Sequence, residues 1–184
     1  MNKALPLLLL FVLGACASTP PEQHEYLLAA PASSLPAAGS APITLRPVIL
    51  APYLDQKGIV LQAADTEVQV ARLNRWAEPL DAAVNRYLQV AVGNASGRLV
   101  EVAPLTTGTP GTELQVRVHQ LHGSTEGQVR LVAEWSVRPA ASAAQLHVFE
   151  STLRQGGDGY PALVNAHAAL LDQLAGAIAA SLVD

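Results

Sequence analysis

The sequence predicts an α+β fold: a mainly antiparallel, open sheet with two amphipathic helices packed on one face. Three observations carry that expectation. Val129, Leu131, Ala133, Trp135 and Val137 alternate with Arg130, Val132, Glu134, Ser136 and Arg138, the period of a half-buried strand. Two other segments, one opening at Pro79 and one at the C-terminal end, repeat their apolar residues at helical spacing. The remaining strand-like segments are grouped around these two, and no internal repeat is present.

The chain opens with a positive Lys3 and an apolar stretch, Ala4 to Val12, broken only by Pro6. That stretch is too short to cross a bilayer as a stable helix, so residues 1–15 read as a signal peptide. Leu13-Gly14-Ala15-Cys16 follows. This pattern resembles the lipobox of bacterial lipoprotein precursors. The expectation is cleavage before Cys16 and acylation of its sulfur, with small residues at −2 and −1 giving the peptidase access. Several acyl chains on one residue anchor firmly, since each buried methylene adds about 0.8 kcal/mol. No aspartate follows the cysteine (Ala17 and Ser18 do), which by the sorting rule of proteobacterial lipoproteins favours the periplasmic face of the outer membrane.

Residues 16–42 are rich in Pro, Ala and Ser and read as a semi-extended tether. Within it, Tyr26-Leu27-Leu28 is an apolar island able to add a short edge strand. The folded domain is expected over residues 43–184. Ile43 to Leu50 reads as a strand with Pro47 marking an edge or bulge. Pro52-Tyr53-Leu54-Asp55 is a break, and Ile59 to Gln62 and Glu67 to Ala71 form a hairpin. Glu78 is a fitting cap and Pro79 a fitting first position for a helix. Leu80, Val84, Tyr87, Leu88 and Ala91 make its apolar stripe, and Gly93 and Asn94 are expected to end it. Leu99 to Ala103 is a strand, Pro104 to Gly111 a loop. Leu114, Val116 and Val118 start a meander that passes through the alternating strand and ends near Leu153. The last helix runs from Tyr160 to Leu182, with Leu163, His167, Leu170, Leu174 and Ile178 on its buried stripe.

Composition excludes several functions. Half the residues are hydrophobic, so a sizeable core can form. Net charge is −4 with only 14% charged residues and no basic block, so nucleic acid is not an expected partner. Cys16 is the only cysteine, which rules out a disulfide within the chain and a zinc–thiolate cluster. Neither a metal site nor a cofactor beyond the covalent lipid is expected. His119 and His122 fall on opposite faces of a strand. His167 reads as a core or boundary histidine, and no Gly-x-Ser-x-Gly elbow marks a nucleophile. An enzyme is not expected.

Arg72 to Leu80 is the most distinctive stretch: two arginines, a tryptophan and a glutamate just before a helix. Trp76 can pack back as a staple, or the segment can serve a partner, since Trp and Arg are favoured interface anchors. Tyr26 and Leu28, Pro47-Val48, Pro52 to Asp55, Arg75-Trp76-Ala77-Glu78-Pro79-Leu80 and the final helix from Tyr160 through His167 follow one another in an order that resembles the PqiC family of ABC-type transport auxiliary lipoproteins. The resemblance spans nearly all of the mature chain. It implies a small α+β domain without catalysis, in a system that moves lipids between membranes and supports envelope integrity. The implied partner is a membrane protein with a mammalian-cell-entry (MCE) domain, and a homo-oligomer around a symmetric conduit is compatible with it. Tyr53, Arg75, Trp76 and Glu78 are the candidate partner interface. A lipid-binding carrier and a structural lipoprotein of another envelope complex are the alternatives.

Overall fold

The computed structural model describes residues 21–34, 40–102, 111–140 and 142–182. Cys16 and the signal segment lie outside the described residues, as does most of the loop read over Pro104 to Gly111. The α+β expectation is met. Among the described residues, nine strands form one sheet and two helices pack on it.

The strands are β1 (His24–Tyr26), β2 (Ile43–Leu45), β3 (Ile49–Leu50), β4 (Gly58–Ala64), β5 (Glu67–Trp76), β6 (Val100–Val102), β7 (Thr112–Ser124), β8 (Gln128–Arg138) and β9 (Gln145–Arg154). The helices are α1 (Leu80–Ser96) and α2 (Gly159–Ser181). The long pairings, β4 with β5, β7 with β8 and β8 with β9, are antiparallel. The sheet as a whole is mixed. β7 is longer than any partner on one of its edges, so three short segments occupy that edge in turn. β2 pairs at Thr112 to Leu114, β3 at Arg117 and Val118, and β4 at Gly123 and Ser124, all parallel to it. Pro47 has no N–H for a ladder, so the single strand expected over Ile43 to Leu50 splits in two around it.

The core sits where the patterns placed it. Val129, Leu131, Ala133, Trp135 and Val137 are all buried, as are both helical stripes. α2 is long and apolar enough to cross a membrane by length and composition. Here its leucines pack instead in the same cluster as β7 and β8. Tyr87 ties the helices together, its hydroxyl donating to Asp172 Oδ1 at 2.8 Å with Ala168 O also within 3.1 Å.

Both ends of α1 differ from expectation. Pro79 occupies the cap position with no side-chain cap, and Glu78 turns to Arg86 instead. The helix runs past Gly93 and Asn94 to Ser96, and Gly97, at φ 66°, closes it in the left-handed conformation that glycine adopts freely. Gly93 is inside the helix because a Cβ there would stand 3.3 Å from Arg98 O. Upstream of Ile43, β1 and the fully buried Leu28 already pack on the domain, and Asn94 straps the following residues to α1 through Ala32 O and Ser34 N.

Candidate functional site

β5 ends at Trp76, where three segments are knitted together. The Trp76 N–H donates to Lys57 O at 2.8 Å, and the Ala77 N–H to Tyr26 O at 2.9 Å. Between β1, the turn before β4 and the β5–α1 junction lies a groove of about 490 Å³, lined among others by Glu25, Asp55, Lys57, Arg75, Trp76 and Glu78. Gly58 makes the close approach of β4 to β5 feasible. A Cβ on it would meet Ala71 O at 2.1 Å, and backbone oxygen cannot step aside.

Three of the four predicted interface residues meet here. Arg75 stands opposite Glu25 in the parallel β1–β5 register, and its Nε donates to Arg72 O at 3.1 Å. Glu78 accepts from both terminal nitrogens of Arg86, at 2.5 and 2.6 Å. That hydrogen-bonded guanidinium holds the Glu78 carboxyl below the usual carboxylate range. Arg86 also donates to Leu28 O at 3.1 Å, so the pair fastens the strap as well as the groove wall. Trp76 is only 7% exposed, with its ring 5.7 Å from that of His167. It forms the floor of the groove and is anchored in the core. Tyr53 lies elsewhere. Its hydroxyl donates to His119 O on β7, its ring stands 6.1 Å from His122, and burial pushes its hydroxyl up to about 12.

Sequence reasoning missed Glu25, Asp55 and Lys57. Glu25 is far in the chain from the neighbouring Asp55 and Lys57, and both segments are far from Arg75, so only the β1–β5 and β4–β5 registers bring them together. No local pattern announces such a meeting. The groove presents carboxylates and cations beside an indole, Pro79 and Leu80, and its lining contains no serine, threonine, cysteine or histidine. This equipment suits recognition of a mixed polar and apolar surface. Among the described residues, no three of His, Cys, Asp and Glu converge as metal ligands. His119 stands 3.3 Å from Glu134, while His167 is enclosed and neither of its ring nitrogens is hydrogen-bonded among the described residues.

No curated protein matches the chain. The fold is shared with a crystal structure of an uncharacterized protein at 26% identity and TM-score 0.76, covering 88% of this chain and 99% of that one. It is shared also with protein XCC0632 from Xanthomonas campestris, of the family DUF330, at 16% identity and TM-score 0.66, covering 85% and 92%. The PelC dodecamer from Paraburkholderia phytofirmans is more distant, at 9% identity and TM-score 0.45 over 79% and 91%. A family model described as ABC-type transport auxiliary lipoprotein component matches residues 26–179, well over half of the sequence. The chain belongs to the family of ABC-type transport auxiliary lipoprotein components, membrane-anchored envelope proteins whose part in transport is auxiliary.

Proposed function

We propose that this protein is an outer-membrane lipoprotein, acylated on Cys16, that acts as a non-catalytic adaptor of an MCE-type, ABC-linked lipid transport system. The domain faces the periplasm and engages the MCE-domain protein of that system through the groove at Arg75, Trp76 and Glu78. The gathering of charged and apolar groups around a core-anchored tryptophan carries this reading, because hot spots are rigid aromatics ringed by polar groups. The PqiC-like order of sequence blocks supports the choice of partner.

A lipid carrier would need a cleft between sheet and helices. Leu163, Leu170, Leu174 and Ile178 fill that space together with Leu131 and Trp135, all nearly or fully buried, which counts against it. The test is an affinity pull-down of the acylated protein from crosslinked envelopes, in wild-type form and as Arg75→Glu. Recovery of an MCE-domain protein that the charge reversal reduces supports the adaptor. Recovery of other envelope components alone would place the protein in a different machine.

A further inference from the structure

We infer that the edge of β5 left unpaired among the described residues, with the β4–β5 turn, lies against the lipid bilayer that holds the Cys16 acyl chains. The inference rests on the anchor proposed above. β1 runs parallel to β5, with His24 opposite Asn74 and Tyr26 opposite Trp76. The chain therefore enters β1 from the side of Leu73 and the residues before it. Cys16 is eight Cα steps from His24. Those steps reach at most about 29 Å, so a bilayer that holds Cys16 lies within about 29 Å of His24. A tether drawn back from β1 runs toward the start of β5, which lies inside that reach, because the β4–β5 register sets five steps of β5 against two of β4. The bilayer surface cannot be far from that edge.

The surface there suits shallow contact with lipid. Val68, Val70 and Leu73 are 45%, 44% and 38% exposed on an edge that β1 leaves unpaired. Pro21 has no N–H with which to continue the ladder, and β1 begins only at His24. Val68 and Val70 share one face of the strand by alternation, and the exposed Arg72 follows two residues on, a cation that can meet lipid phosphates. Asp65 and Glu67 at the turn keep the contact at headgroup depth. Leu146 and Val148 are more exposed still, but they stand on β9, at the opposite edge of the sheet.

The test uses full-length acylated protein in vesicles of phosphatidylethanolamine and phosphatidylglycerol carrying brominated phosphatidylcholine. Val70→Cys and Leu146→Cys variants each take one environment-sensitive fluorophore, since Cys16 is the only native cysteine and is blocked by its lipid. The Val70→Cys label should be quenched at least about twofold by the brominated lipid and the Leu146→Cys label left unchanged. Protein that floats with the vesicles while the Val70→Cys label stays unquenched, or is quenched no more than the other, overturns the orientation and leaves the anchor standing. Protein that does not float overturns both.

Discussion

His167 is enclosed by α2, Trp76 and the neighbouring His122, and among the described residues no group donates to or accepts from its ring. Burial pushes its pKa down from 6.5 to about 3, with His122 adding a smaller push. The sign of the consequence follows. Below about pH 6.5 the unfolded chain takes up a proton that the folded chain refuses until about pH 3, so stability falls across that window as pH drops. Urea midpoints should show the domain about 2 kcal/mol less stable at pH 5 than at pH 7. His122 is shifted down as well and adds in the same direction. His167→Leu should flatten the slope, and an unchanged slope would assign the acid lability to other groups. Glycines give a second contrast. The Cβ of Gly123→Ala would meet Leu163 Cδ1 at 2.5 Å, the movable end of a side chain. That of Gly58→Ala would strike the Ala71 carbonyl. Thermal melts should therefore rank Gly58→Ala clearly below Gly123→Ala, the latter costing about 1–3 kcal/mol.

At the scale of elements, the strap over α1 is held beyond Leu28 by the Asn94 side chain. Asn94 accepts from Ser34 N at 2.7 Å and donates to Ala32 O at 2.8 Å. Asn94→Ala should cost about 1 kcal/mol and expose residues 29–34 to limited proteolysis, while the helix content by circular dichroism stays the same. If cleavage in that stretch is no faster than in wild type, the strap is held by Arg86 and Leu28 instead. The position of Asn94 explains why the turn-like Gly93-Asn94 pair does not end the helix. Gly93 is there for a close approach and Asn94 for the strap, and the true stop is Gly97.

For the whole molecule, the burial of Trp76 decides how the groove must be tested. Trp76→Ala removes a core side chain and should cost about 3–5 kcal/mol, so a loss of partner binding in that variant is ambiguous. Arg75→Glu changes the rim of the groove and sets a carboxylate opposite Glu25, a cost of about 0.2–1 kcal/mol that is small beside that of Trp76→Ala. Partner recovery that drops in Arg75→Glu at a near-wild-type melting temperature separates recognition from folding. Full recovery would remove the groove from the interface.

The strand and helix periodicities determined the α+β class and the buried faces of β8, α1 and α2, and the residue types before α1 marked the stretch around Trp76. Those patterns are local, because a side chain's face is set by neighbours two to four residues away. The parallel course of β2, β3 and β4 along β7, the burial of Leu28, and the meeting of Glu25 and Lys57 with Arg75 were decided only in the tertiary structure. Strand order and register depend on which distant segments pair, and no residue near Arg75 in sequence encodes that choice.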